Sequence, residues 1–107
     1  VSNTIRGAMA NWAKTLSLEL GPDQITVNNV LPGFTATDRL EDLIKATASK
    51  TGEAETEVSN RLKASVPMRR FASADEVAQA IAFLASPQAS YISGINLPVD
   101  GGRTGCL

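Results

Sequence analysis

A short β-branched run that ends at a proline and a glycine is the feature that most constrains this chain. Residues 25–31 read Ile-Thr-Val-Asn-Asn-Val-Leu, and Pro32 and Gly33 follow at once. β-Branched residues favour strands, and an apolar run of this kind is typical of a strand that is buried on both faces. Pro32 cannot donate to a β-ladder and Gly33 has no Cβ, so the backbone can turn sharply and come close to a bound molecule.

Two threonines follow this turn directly. Thr35 and Thr37 place hydroxyl groups just after the end of the strand. Open α/β sheets bind their ligands at the carboxyl ends of their strands. The segment from Pro32 to Thr37 is therefore predicted to contact a ligand, although a turn and a helix N-cap would explain the same two threonines.

The remaining elements predict an α/β fold. Helical spacing of apolar residues indicates helices over 3–20, 38–50 and 53–64, and a Ser73–Glu76 capping box begins another helix that ends near Ser86. Residues 94–99 alternate apolar and polar side chains, as a strand does. Two strands joined by a crossover indicate a parallel pair, and their buried character implies neighbouring strands outside this sequence.

Two helical segments have open interpretations. The helix over 3–20 has apolar residues on more than one side, so it packs either within the core of one subunit or on a sheet and also on a partner subunit. Gly21 is expected just past its end. Residues 38–66 are rich in charge and poor in apolar mass, which fits either a mobile cover over a site or a solvated surface excursion.

Composition argues against several classes of partner. Ten basic and eleven acidic residues give a net charge of −1, which leaves no electrostatic footprint for nucleic acid or a membrane surface. No apolar run is long enough to cross a bilayer. The sequence has no histidine, and the lone Cys106 can form no disulfide within the chain. We therefore expect no metal site and a reducing, cytoplasmic location.

Four motifs in order resemble the carboxyl-terminal part of a short-chain dehydrogenase/reductase, over nearly the whole chain. They are Lys14-Thr-Leu-Ser-Leu-Glu-Leu followed by Ile25-Thr-Val-Asn28, Pro32-Gly33 with Thr37, Pro67-x-x-Arg70-Phe71 leading into Asp75-Glu76-Val77-Ala78 and Phe83-Leu84-Ala85-Ser86, and Gly94 leading into Val99-Asp100-Gly101-Gly102. The resemblance implies that residues 1–107 are the carboxyl-terminal portion of a single Rossmann-like domain with a doubly wound parallel sheet.

The resemblance also implies a cofactor, NAD or NADP, and a small-molecule substrate that is a carbonyl or an alcohol. In relatives the turn matching Pro32 and Gly33 passes beside the nicotinamide ring. The residue at Thr35 offers backbone groups to the carboxamide, and the hydroxyl at Thr37 bonds to the cofactor. Asn28 matches a residue interpreted as structural. Relatives commonly form homo-dimers or tetramers through the helix matching 3–20 and through the last helix and strand, so we expect a homo-oligomer.

The first helix departs from the family pattern at the catalytic positions. The family's Tyr and Lys lie four residues apart, and counting back from Lys14 places Ser2 at the Tyr position and Arg6 at the Lys position. Arg6 keeps a charge that can hold ribose hydroxyls. Ser2 cannot replace the tyrosine as an acid, because the pKa of an unassisted serine hydroxyl is far too high. A plain helix start, with Ser2 as a cap and Arg6 in solvent, explains both residues equally well.

Three functions follow from the resemblance. The family's Gly-rich phosphate turn and catalytic serine are not in this sequence, so we expect a carboxyl-terminal fragment that is inactive alone. The leading hypothesis is that the complete protein is an NAD(P)-dependent oxidoreductase that acts on a carbonyl/alcohol pair. A non-catalytic binding or scaffold homologue is the alternative from another class, because Ser2 lacks tyrosine chemistry. A third is a relative of halohydrin-cleaving lyases, which also carry Arg at the Lys position but keep the tyrosine.

Overall fold

The structure is a computed structural model that describes residues 2–105, with side chains from residue 4 to residue 105. Its helices are α1 (Ser2–Leu20), α2 (Asp38–Thr51), α3 (Glu55–Ala64) and α4 (Ala74–Leu84), and its strands are β1 (Asn29–Pro32) and β2 (Asn96–Val99). This order confirms the predicted α/β arrangement. Cys106 and the side chain of Ser2 lie outside the described residues, so the predictions that concern them gain no structural account.

The chain divides into two compact units. Val1–Leu31 and Gln79–Leu97 form the first unit, whereas Pro32–Ala78 and Pro98–Leu107 form the second. Helix α1 therefore belongs to the first unit, and helices α2 and α3 belong to the second. Within residues 2–105, no helix is both long enough and apolar enough to cross a membrane.

In the first unit, α1 buries small residues rather than large apolar ones. Ala13 and Ser17 are buried, whereas Met9 is 53% exposed and Trp12 is 57% exposed. The small face lies against Gly94, where a Cβ atom would come within 2.8 Å of the Ser17 Oγ atom. The apolar residues of this helix are thus exposed toward its start, whereas Leu16 and Leu20 near its end are half-buried.

Helix α1 ends at Leu20, and Gly21 lies just past its end as predicted. Gly21 does not take the left-handed conformation of a helix-terminating glycine, because the chain continues in a 3₁₀ turn from Gly21 to Asp23. The left-handed residue is instead Gln24, with φ of 62°. Its N–H donates to the Gly21 oxygen at 2.9 Å. Pro22 favours this outcome, since its fixed φ suits the first position of a helical turn.

Strands β1 and β2 form a two-stranded sheet. The Asn29 N–H donates to the Ile95 oxygen and the Gly33 N–H donates to the Val99 oxygen, both at 2.9 Å. Because the two pairs advance by the same number of residues in the same direction, the strands are parallel, as predicted.

Strand β1 begins at Asn29, later than the predicted run. Before it, the side chain of Asn28 takes the place of backbone hydrogen bonds to the opposite segment. The Asn28 Nδ2 atom donates to the Ile92 oxygen at 3.0 Å, and its Oδ1 atom accepts from the Ile95 N–H at 3.2 Å. One side chain thus satisfies two backbone groups of the opposite segment. This is the structural role expected for Asn28.

Within the described residues, β1 is not buried on both faces. Leu31 in β1 is 45% exposed, and Ile25 in the preceding run is 47% exposed. The sheet within residues 2–105 has two strands, so each strand keeps one unpaired edge, and the burial predicted together with neighbouring strands stays a prediction. Pro98 lies inside β2, a position that sheets tolerate at an edge.

In the second unit, α2 and α3 carry the hydrophobic cluster, so the expectation that residues 38–66 contribute little to a core is wrong, whereas their role as a cover over a site stays a prediction. Leu40, Ile44, Ala48 and Val58 form this cluster, and Val58 is only 1% exposed. The spacing of four residues places the three α2 members on one side of that helix. The charged residues of the segment are numerous, but they occupy the faces that the cluster leaves exposed.

The two ends of α2 follow the local sequence signals. The Thr37 Oγ1 atom accepts from the Leu40 N–H at 3.4 Å, which makes Thr37 the N-cap. Asp38 and Glu41 lie in the first turn, where a carboxylate suits the helix dipole. Gly52 ends the helix in the left-handed conformation, with φ of 75°. The helix predicted over 38–50 thus begins at the expected residue and ends one residue later.

We expect the substitution Leu40→Ala to lower the free energy of unfolding by about 2–5 kcal/mol, because it removes packing and leaves a cavity in the cluster. Leu43→Ala is the matched control, since Leu43 lies on the same helix but is 49% exposed. Urea unfolding followed by circular dichroism measures both. Equal losses for the two variants would contradict the assignment of Leu40 to the core.

Candidate functional site

The turn after β1 is set by the close approach of two backbone segments. A Cβ atom at Gly33 would lie 2.8 Å from both the Cα and the Cβ atom of Asp100. Contacts that short do not occur between real side chains, so only glycine fits here without a shift of the backbone. The sequence suggested that Gly33 leaves space for a bound molecule. In the structure, Asp100 of the same chain occupies that space.

The backbone of Thr35 is held by a single residue of another segment. Thr35 forms a parallel bridge with Ala72: the Ala72 N–H donates to the Phe34 oxygen at 2.9 Å, and the Ala36 N–H donates to the Ala72 oxygen at 2.8 Å. In such a bridge the N–H and C=O of Thr35 itself point away from Ala72. No hydrogen bond joins either group to another residue of the described part of the chain. Thr35 therefore presents a donor and an acceptor on one side.

The hydroxyl groups of the two threonines have different partners. The Thr35 Oγ1 atom donates to the Gly33 oxygen at 3.1 Å, which stabilises the turn. The Thr37 Oγ1 atom accepts from the Leu40 N–H, so its own proton remains free to donate among residues 4–105. The turn and N-cap interpretations are thus both observed, and Thr37 keeps a donor for a further partner.

Arg6 and Ser2 belong to the first unit, whereas Pro32, Gly33 and the two threonines belong to the second. Arg6 is exposed on α1, and no salt bridge joins it to another residue whose side chain is described. Ser2 begins α1, and its side chain lies outside the described residues. The roles of Ser2 and Arg6 therefore stay predictions from the sequence, because the described residues show no contact for either side chain.

Glu76 ties together the segment that carries Ala72. Its carboxylate accepts from the Arg70 Nη1 and Nη2 atoms at 2.6 Å and 2.8 Å, and from the Ser73 N–H at 3.0 Å. The Ser73 Oγ atom in turn accepts from the Glu76 N–H at 3.2 Å, which confirms the predicted capping box. Hydrogen bonds from Arg70, and then from the Ser73 backbone, lower the pKa of Glu76 to about 2.

Two aromatic rings and two cations border the turn, an arrangement that was not predicted from the sequence. The Phe34 and Phe71 rings meet edge to face, with centroids 6.1 Å apart, and both pack against the hydrophobic cluster. The Arg103 guanidinium lies 4.4 Å from the Phe34 ring centroid, and the Lys63 ammonium lies 5.3 Å from the Phe71 ring centroid. Both distances suit cation–π contacts. Of the two phenylalanines, only Phe71 lies in one of the motifs that the sequence offered.

The second unit also contains a cavity of about 410 Å³. Phe34, Val66, Met68 and Val99 give it mainly apolar walls, with Asp100 and Arg70 among the polar groups. None of the four predicted cofactor-binding residues in the described part of the chain is part of its wall. The wall does include Phe34, which precedes Thr35, and Ala72, which forms the bridge with Thr35.

A metal centre has no support in this geometry. Within residues 2–105, no three side chains of His, Cys, Asp or Glu come together in a group that could hold a metal ion. The groups available for ligand binding at the turn are instead the Thr35 backbone and the Thr37 hydroxyl. Such groups form hydrogen bonds to a neutral amide or a ligand oxygen.

We expect Gly33→Ala to lower the free energy of unfolding, because the new methyl group would collide with Asp100. Typical overpacking costs are about 1–3 kcal/mol. Gly21→Ala is the matched control, because nothing lies within 4 Å of a Cβ atom built there and its φ is not positive. Thermal unfolding compares the two. A Gly33→Ala variant as stable as the control would show that this turn accommodates a side chain.

The lowered pKa of Glu76 gives stability a dependence on pH. Its folded pKa of about 2 lies below the ordinary value of 4.5, so the charged carboxylate favours the folded state. This contribution is complete above pH 4.5 and is lost as the pH falls toward 2. The wild type should therefore exceed Glu76→Gln in stability at neutral pH, with the difference shrinking through that window. Urea unfolding at several pH values measures it, and a constant difference would contradict the ion pair.

Comparison with known proteins gives close matches. The family model described as Enoyl-(Acyl carrier protein) reductase matches residues 1–104. The NADPH-dependent reductase BacG of Bacillus subtilis (strain 168) is 38% identical over 101 residues, which are 94% of this chain and 39% of that protein. The chain thus spans about two fifths of the length of this curated relative.

Solved structures match with similar coverage. The crystal structure of YwfH, an NADPH-dependent reductase involved in bacilysin biosynthesis, superposes with a TM-score of 0.90 at 36% identity, and the match covers 97% of this chain and 39% of that one. The structure of an F189W actinorhodin polyketide ketoreductase with NADPH gives a TM-score of 0.84 at 31% identity, covering 92% and 38%. The described fold is therefore found within larger proteins.

Proposed function

Because the chain belongs to the short-chain dehydrogenase/reductase family, we propose that it is the carboxyl-terminal portion of a single Rossmann-type domain in an NAD(P)-dependent oxidoreductase. The complete protein interconverts a small-molecule carbonyl and the corresponding alcohol. The 107 residues alone supply the wall of the nicotinamide site and do not turn over substrate. We also assign the protein to the cytoplasm, as the cysteine usage suggests.

The backbone of Thr35 is the observation that carries this proposal. Its N–H and C=O point away from the Ala72 bridge and have no partner in the described residues. A carboxamide has one acceptor oxygen and an NH2 donor, so it can accept from the Thr35 N–H and donate to the Thr35 oxygen. Such a pair fixes the orientation of a planar ring, which hydride transfer requires.

Thr37 adds a third group to the same wall. Its hydroxyl oxygen serves the N-cap of α2, and its proton can donate to an oxygen of the cofactor. The cofactor, when bound, supplies the hydride, and these residues hold it in place. The names of the BacG and YwfH relatives give NADPH as their cofactor, which supports NADP(H) as the first candidate to test, ahead of NAD(H).

Arg6 and Ser2 take the remaining positions in this proposal. Arg6, at the position of the family's Lys, holds the ribose hydroxyls through its guanidinium. Ser2, at the position of the family's Tyr, lacks an acidic proton of suitable pKa, so substrate protonation needs a different donor. The same residue supports the second candidate, a homologue that binds the cofactor without catalysis.

Self-association completes the proposal. Ile5 and Trp12 on α1 are 58% and 57% exposed, and Ile81 and Phe83 on α4 are 52% and 48% exposed. A contiguous apolar patch built from such side chains marks an interaction surface. A homo-dimer or tetramer that uses these helices would cover them. No nucleic acid or membrane partner is proposed, given the net charge of −1.

Calorimetric titration of the complete protein with NADPH and NADH tests the proposal. We expect binding that Thr37→Val weakens by about three- to tenfold, the range for one lost hydrogen bond. Thr37→Ser should retain affinity because it keeps the hydroxyl, and Thr56→Val on the exposed surface of α3 is the control. Because Thr37→Val also removes an N-cap, each variant is first checked for folding by circular dichroism.

Turnover then separates the two candidates. Reduction of a panel of ketones and aldehydes, followed through consumption of NADPH, supports the oxidoreductase, and Arg6→Ala should abolish it. Binding of the cofactor without turnover of any member of the panel favours the non-catalytic homologue. Failure to bind either dinucleotide would reject both.

A further inference from the structure

We infer that Arg70 and Glu76 are positioning residues for the nicotinamide wall. They act through Ala72, which holds the Thr35 backbone. This inference rests on the proposed function, since it concerns the same Thr35 groups. The motif Pro67-x-x-Arg70-Phe71 and the capping box after it are features that the function has not yet used.

The first step is that Thr35 depends on one residue. The bridge consists of two hydrogen bonds, from the Ala72 N–H to the Phe34 oxygen and from the Ala36 N–H to the Ala72 oxygen, at 2.9 Å and 2.8 Å. It is an isolated bridge outside the two strands, so no neighbouring ladder bonds support it. A displacement of Ala72 would therefore change the direction of the N–H and C=O of Thr35.

The second step is that Glu76 fixes the chain on both sides of Ala72. On one side, its carboxylate accepts hydrogen bonds from the Nη1 and Nη2 atoms of Arg70. The Nη1 atom of Arg70 also donates to the Phe71 oxygen at 3.3 Å. On the other side, it accepts from the Ser73 N–H at 3.0 Å. The residues before and after Ala72 are thus both hydrogen-bonded to one carboxylate, which lies in the first turn of α4.

The ion pair between Arg70 and Glu76 contributes little to the stability of the fold. The side chains of Arg70 and Glu76 are 54% and 41% exposed, and exposed ion pairs contribute little because water screens them. A bidentate arginine–carboxylate pair does supply a fixed relative geometry, since two parallel hydrogen bonds define both distance and orientation. The pair is therefore better suited to hold a backbone segment in position than to stabilise the fold.

A second ion pair in the same unit provides a matched control. Arg61 and Glu53 meet at 2.6 Å, and their side chains are 53% and 29% exposed. Neither residue takes part in the Thr35 bridge or in the hydrogen bonds of Glu76. Arg61→Lys removes the same guanidinium group from a similar surface position without touching the segment that carries Ala72.

The experiment compares Arg70→Lys and Glu76→Gln with Arg61→Lys in the complete protein. Lysine keeps the charge but cannot form the bidentate pair, and glutamine keeps the shape but loses the charge. Without cofactor, hydrogen exchange at the Ala36 and Ala72 amides should become about fivefold faster in the first two variants and stay unchanged in the control. The dissociation constant for NADPH should rise by a similar factor. The melting temperatures of Arg70→Lys and Arg61→Lys should agree closely, whereas Glu76→Gln carries the loss of stability already expected from the lowered pKa of Glu76.

Each result decides a separate question. Unchanged exchange at Ala36 and Ala72 in both variants overturns the inference, because Ala72 is then held without the ion pair. Faster exchange with an unchanged NADPH dissociation constant also overturns it, since Thr35 would then not be part of the cofactor wall that the pair positions. A wild-type protein that binds neither NADPH nor NADH rejects the proposed function itself, and the exchange data, which need no cofactor, still report on the bridge.

Discussion

The contact between Gly33 and Asp100 is the constraint on which the second unit depends. Because position 33 has no side chain, β1 can pair with β2 as far as Val99 and then turn at once. The turn delivers Phe34 to the hydrophobic cluster and Thr35 to its bridge with Ala72. One residue without a Cβ atom thus determines where the next two residues lie, and these carry the packing and the proposed chemistry.

Local signals in the sequence were sufficient for most of the elements. The Ser73–Glu76 capping box, the break at Gly52 and the first turn of α2 depend on contacts within four residues, and each is found in the structure. Gly21 likewise lies just past the end of α1, and Pro22 then favours a 3₁₀ turn that ends at the left-handed Gln24. The helix end follows from the local sequence, whereas the additional turn was not predicted.

Long-range contacts left no comparable trace in the sequence. Residues 38–66 contain so many charges that their composition hides the three aligned apolar residues of α2 and their contact with Val58 of α3. Val58 is the most fully buried of the large side chains in residues 4–105. The pairing of Phe34 with Phe71, and of Arg103 with Phe34, joins residues far apart in the chain. Of the candidate site, the turn and its threonines could be predicted, whereas the bridge that orients Thr35 could not.

The acidic start of α2 has a consequence for what can approach Thr37. A helix N-terminus normally attracts anions, because its free N–H groups carry partial positive charge. Here Asp38 and Glu41 already occupy the first turn, and the Thr37 side chain occupies one of the N–H groups. Arg39 lies between these two carboxylates in the sequence, so the first turn carries a net charge of about −1. The acidic side chains thus offset the partial positive charge of the helix end, and this N-terminus attracts anions less than one without acidic residues.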